Sequence, residues 1–218
     1  MIKNDFRYER KWVFQNIDKE TLLLSLLSSK LFFIEQFNER VVNSIYFDTL
    51  NLKSALDNLD GISNREKHRV RWYGKNTELF TTPILENKIK KNFQGHKIFY
   101  RLDKFNKKTL NNNSLSNLTK NINELLPLKN LQPVSMTSYR RVYLISADKK
   151  IRATLDFDLK HKKMINHIEN FFININDIIL EFKYSSNLDG YLRNLMPGIT
   201  RLSKNSKYIN SLLTSNFY

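Results

Sequence analysis

Cationic side chains recur in this sequence at every second residue. Arg69 and Arg71 do so in Lys67-His-Arg-Val-Arg-Trp-Tyr73, Lys88 and Lys90 follow Glu86 at the same spacing, and Lys11, Arg141 and Arg152 lie in further alternating runs. In an extended chain successive side chains point to opposite faces, so each run aims its cations one way. His68, Val70 and Trp72, or Leu85, Asn87 and Ile89, point the other way. A guanidinium grips phosphate bidentately, and rows of like charge on neighbouring strands repel unless an anion lies between them. The chemistry suited to this spacing is side-chain binding of a phosphate-rich anion, with Lys11, Arg69, Arg71, Lys88, Arg141 and Arg152 as candidate ligands. Glu9, Glu86, Asp156 and Glu181 share those faces. They could hold a hard divalent cation that bridges phosphate oxygens, or act as ion-pair partners that keep the cations apart.

Near the C-terminal end, Thr200-Arg-Leu-Ser-Lys-Asn-Ser-Lys-Tyr208 adds a second basic signal. With Ser203 as N-cap of a helix over Lys204 to Leu213, Lys204 and Lys207 share one face of the first turn. There, free N–H groups and the helix dipole already favour an anion.

Other chemistries are poorly served. The five glycines, Gly61, Gly74, Gly95, Gly190 and Gly198, build neither a P-loop nor a dinucleotide fingerprint. With no cysteine, thiol nucleophiles, disulfides and Cys-ligated zinc are excluded. The four histidines, His68, His96, His161 and His167, match no zinc spacing. Only Tyr73, Tyr139 and Tyr143 interleave with the cations, so no nucleic-acid partner is expected.

The elements that must position these residues are mostly strands. Period-2 alternation predicts strands at about Phe6–Phe14, Val41–Phe47, Lys67–Tyr73, Ile84–Lys90, Lys97–Lys104, Tyr139–Ser146, Ile151–Leu159 and Ile178–Tyr184. Helices are predicted at Lys19–Leu31, Leu50–Leu59, Leu115–Leu126, Leu188–Leu195 and Lys204–Leu213, with Asn111 to Asn113 as a loop tip. This is an α+β chain led by strands. The opposite faces of most strands are aromatic or aliphatic, and short helices are available to cover them. An antiparallel barrel with an apolar outside and a charged lumen satisfies both requirements. The 218 residues carry 36 Lys and Arg against 21 Asp and Glu, a net charge of +15, and 41% are hydrophobic. That suits one folded domain, residues 1–218, with an anionic partner. The charged N-terminus and the lack of a long apolar run predict a cytoplasmic chain with no membrane segment, which leaves a membrane partner possible.

Eight blocks carry a resemblance to a known family. They are Arg7-Tyr-Glu-Arg-Lys-Trp-Val13, Ser44-Ile-Tyr-Phe-Asp-Thr49, His68-Arg-Val-Arg-Trp-Tyr-Gly74, Leu85-Glu-Asn-Lys88, Ser138-Tyr-Arg-Arg-Val-Tyr143, Arg152-Ala-Thr-Leu-Asp156, Leu180-Glu-Phe-Lys183 and Ser206-Lys-Tyr208. In this order they resemble the VTC domain, the polyphosphate polymerase domain of the vacuolar transporter chaperone complex, within the triphosphate tunnel metalloenzyme (CYTH-like) superfamily. The resemblance implies an eight-stranded antiparallel tunnel that moves the γ-phosphate of ATP onto a growing inorganic polyphosphate chain, aided by Mn²⁺ or Mg²⁺. By the same resemblance Lys11, Arg69, Arg71, Lys88, Arg141 and Arg152 match the family's phosphate-binding cations, Glu181 its metal-binding glutamate and Lys207 its C-terminal lysine at the transferring phosphate. One departure stands out. The first block reads Glu9-Arg10-Lys11 where the superfamily's hydrolases show Glu-x-Glu-x-Lys, so one metal-ligand carboxylate is absent, as in VTC-type members. No SPX regulatory domain accompanies these blocks. The competing readings are a tripolyphosphatase or nucleoside triphosphatase in the same tunnel, and a non-catalytic polyanion-binding module.

Overall fold

A computed structural model describes residues 7–91, 94–127, 129–164, 171–195 and 202–214. Its strands are β1 (Arg7–Phe14), β2 (Ile34–Asp48), β3 (Arg65–Tyr73), β4 (Ile84–Lys91), β5 (Gln94–Arg101), β6 (Gln132–Ile145), β7 (Arg152–Lys163), β8 (Ile173–Ile175) and β9 (Ile178–Ser185). Its helices are α1 (Lys19–Leu27), α2 (Lys53–Leu59), α3 (Asn112–Leu125), α4 (Asp189–Leu195) and α5 (Lys207–Leu213). Eight strands are joined in the order β1-β9-β7-β6-β2-β3-β4-β5, and β8 pairs with β7 outside that path. Every described pairing register is antiparallel. The antiparallel eight-stranded sheet with short helices expected from the sequence is therefore present. Phe6, His167 and Gly198 lie outside the described residues.

The chain gathers into two compact units, one of residues 1–40, 139–159 and 175–205, the other of 41–138, 160–174 and 206–218. In the first unit, α1 lays Leu22 and Leu26 on Trp12, Val142, Leu155, Leu180 and Phe182. Asp18 starts that helix by accepting from the Thr21 amide at 2.7 Å. In the second, α3 sets Leu118 and Ile122, four residues apart and fully buried, on Ile45, Val70, Trp72 and Leu85. In each unit the sheet thus buries one face under a helix.

Several boundaries differ from the sequence reading. Asn111 is not part of a loop tip but the N-cap of α3: it accepts from the Ser114 amide, while Ser114 Oγ accepts from the Asn111 amide. The last helix starts after Ser206 rather than Ser203: Ser206 Oγ accepts from the Ile209 amide, while the Ser203 amide bonds the Lys11 carbonyl at 2.8 Å. Lys204 therefore precedes α5 in an irregular segment, and only Lys207 sits in its first turn. α2 begins three residues later than expected. Leu52, with φ 54°, caps it without a side-chain bond, and its free amides at Ser54 and Ala55 go to the Asp48 carboxylate at 2.9 and 3.0 Å.

Candidate phosphate-binding site

In the first unit, pairing puts Lys11 opposite Glu181 and Glu9 opposite Lys183, while Thr154 and Arg152 continue the two rows on β7. Lys11 Nζ lies 2.8 Å from Glu9 and 3.3 Å from Glu181, and Lys183 Nζ lies 2.6 Å from Glu181. Burial opposes the charge on Lys11, but Glu181 and Glu9 overcome it and raise its pKa. Glu181 is itself buried, yet Lys11, then Lys183 and Arg141, hold it far below the usual carboxylate range. Arg141 grips Asp156 through both ends of the fork, at 2.5 and 2.7 Å, and lies over the rings of Tyr139 and Tyr143. Arg152 is exposed. The segment carrying Lys204 runs along β1: the Ser203 amide binds the Lys11 carbonyl, and Lys11 Nζ reaches the Asn205 carbonyl at 3.4 Å.

The second unit carries a matching cationic face. Arg69 stands opposite Glu86, and Lys67, Lys88 and Lys97 stand directly opposite one another across β3, β4 and β5. Arg69 meets Glu86 at 2.5 Å, Arg71 at 3.4 Å and Lys97 at 3.9 Å. Burial alone would raise the pKa of Glu86, but Arg69 and Arg71 pull it down to about 2. Glu86 thus offsets part of the charge of Arg69, Arg71 and Lys97. Lys67 Nζ also donates to Ser206 Oγ at 3.1 Å, at the start of the helix that carries Lys207.

α5 is fastened to this unit by its other side chains. Tyr208 donates to Asp48 at 2.5 Å, its ring stacks on Tyr46 at 5.0 Å, and Ser211 donates to Ser135 at 2.8 Å. Burial, then the Asp48 hydrogen bond, raises the Tyr208 pKa, so the phenol keeps its proton. His161 lies 3.3 Å from Thr214 through Nδ1, and burial, then the charge of Lys207, pushes its pKa down to about 4. Its Nε2 is buried without a hydrogen-bond partner.

The structure therefore brings Lys11, Arg141, Arg152, Lys204 and Glu181 into one unit and Arg69, Arg71, Lys88 and Lys207 into the other. Lys97, Asp48 and His161 were not candidates. Lys97 had a readable signal, the alternation of Lys97, Phe99 and Arg101. His161 continues the buried row of Ala153, Leu155, Phe157 and Leu159, so alternation alone marks it as inward-facing and no more. A metal-binding set of three or more His, Asp or Glu is absent among the described residues. Glu9 and Glu181 are hard oxygen donors of the kind a divalent cation takes, and Lys11 and Lys183 each reach both carboxylates, so a cation held there would replace lysine contacts.

An antiparallel sheet with one face under helices and the other lined by paired cations and carboxylates is the fold of the CYTH-like triphosphate tunnel proteins. A candidate adenylate cyclase from Bacillus halodurans matches at 15% identity and TM-score 0.54 over 96% of both chains. One from Vibrio parahaemolyticus matches at 9% and 0.53 over 96% of this chain and 98% of its own. A candidate adenylyl cyclase from Hippeastrum, described as having a dominant triphosphatase activity, matches at 13% and 0.53 over 96% of both. Within that fold the chain belongs to the VTC domain family, whose model matches residues 6–216. No curated protein matches it by sequence. Among the described residues no helix is long and apolar enough to cross a membrane.

Proposed function

We propose that the chain acts as a single VTC-like domain, a metal-dependent polyphosphate polymerase that transfers the γ-phosphate of ATP to inorganic polyphosphate. The observation that carries a phosphate-chain substrate is the row of Lys67, Lys88 and Lys97, set directly opposite one another across three strands. Cations gathered on one face in this way concentrate positive charge where a chain of phosphates can lie. Family membership supports the transfer.

In this reading Lys11, Arg69, Arg71, Lys88 and Lys204 bind phosphate groups of the two substrates. A terminal oxygen of polyphosphate attacks the γ-phosphorus in line, the bond from that phosphorus to the β–γ bridging oxygen breaks, and ADP leaves while the chain grows by one phosphate. Arg141, Arg152 and Lys207 neutralise charge on the group in transit. Glu181, with Glu9, would hold Mn²⁺ or Mg²⁺, which supplies further neutralisation of phosphate charge.

The test is to incubate the pure protein with γ-labelled ATP, Mn²⁺ and a short polyphosphate primer. Label in long polyphosphate is expected. Label in orthophosphate alone would make the protein a triphosphatase, and unreacted ATP would make it a binding module.

A further inference from the structure

Within the first unit, a chain of ring and cation contacts leads outward from Arg141. The Arg141 guanidinium lies 5.3 Å from the Tyr139 ring and 5.8 Å from that of Tyr143. Tyr143 meets Phe37 edge to face, with centroids 5.8 Å apart and planes at 86°. Arg40 lies over both outer rings, 5.2 Å from Phe37 and 5.7 Å from Tyr143. Tyr139 is buried, whereas Phe37 is 47% exposed on a stretch, Ile34–Arg40, that is exposed throughout. Sequence alternation had marked Tyr139 and Tyr143 as rings among the cations, and nothing in the phosphate chemistry above uses them.

We propose that Phe37, Tyr143 and Arg40 form a stacking platform for the base of a nucleoside triphosphate whose phosphates lie toward Arg141. This rests on the reading that a nucleoside triphosphate is the phosphoryl donor. An aromatic base gains from any ring or guanidinium face, whatever its hydrogen-bonding edge. Phe37 is half exposed, so a base can reach its ring, and Tyr143 links the platform to Arg141 at 5.8 Å. Inorganic polyphosphate and tripolyphosphate have no base, so the platform distinguishes donor from acceptor.

The experiment titrates the wild type, Phe37→Ala and Phe37→Trp with ATP and with tripolyphosphate, both with Mg²⁺. In Phe37→Ala the affinity for ATP is expected to fall by about tenfold, the scale of one lost base stack, while that for tripolyphosphate stays unchanged. Phe37→Trp keeps the ATP affinity. Unchanged ATP binding in Phe37→Ala, or an equal loss for both ligands, overturns the platform and leaves the polymerase reading standing. A wild type that binds tripolyphosphate but not ATP overturns the ATP-donor reading and the platform with it. Binding of neither ligand removes the phosphate site altogether.

Discussion

Lys207 is the residue on which the catalytic reading depends most sharply. It opens α5, between Ser206, which receives Lys67 Nζ, and Tyr208, which is tied to Asp48. Under the proposed function, a charge at this position would stabilise the transition state with little reorganisation. Lys207→Ala should lower kcat for polyphosphate synthesis by about 10²-fold while ATP affinity changes far less, a split read by measuring the two separately. An unchanged kcat would remove it from the reaction. His161 gives a second test. Its pKa in the fold is about 4, below the usual 6.5, so the unfolded chain binds more protons between those values. Stability should therefore fall as the pH drops from about 6.5 to about 4, and His161→Gln should flatten that part of the curve in denaturant titrations. Glu86, held at about 2 against an ordinary 4.5, adds its own loss at lower pH. The faces of Arg69, Arg71 and Lys88 were legible because period-2 spacing survives wherever the pleat is regular. The start of α5 was not, since Ser203 and Ser206 are equally good caps by type. The tertiary bond of the Ser203 segment to Lys11, far off in sequence, is not visible in the residue types.

At the level of elements, α5 has seven residues, too few for a helix to stand alone, and tertiary contacts must hold it. Tyr208→Phe deletes the donor to a fully buried carboxylate and should cost about 1.5 to 3 kcal/mol of stability. Chemical denaturation measures it, and a loss within experimental error would show that the Tyr46 stack and the serine pair suffice. β1, β3, β4 and β9 lay close to their expected positions, because each buries one face and exposes or charges the other. β2 and β6 were read at about half their length for two different reasons. Ile34–Arg40 is exposed on both faces and so shows no alternation. In β6, Ser135, Thr137 and Ser138 are buried, so polar residues there do not mark the solvent side.

For the molecule as a whole, the formal charge of +15 should govern encounter with polyphosphate. Electrostatic steering raises association rates by about 10- to 10³-fold and is screened by salt. Stopped-flow association with long polyphosphate should therefore slow by at least about tenfold from low to high ionic strength. A rate indifferent to salt would mean that the cations are spent on their internal carboxylates. The pairing of β1 with β9 has a consequence of another kind. Arg10 and Tyr184 touch across 174 intervening steps of sequence, and the same ladder sets Lys11 beside Glu181. Of the described strands β1 is synthesised first, and its neighbour in the strand order, β9, is synthesised last. Closing so long a loop is slow, so Trp12 and Phe14 meet their β9 partners only after the intervening strands have been made. The Lys11–Glu181 contact then forms among the last events of folding.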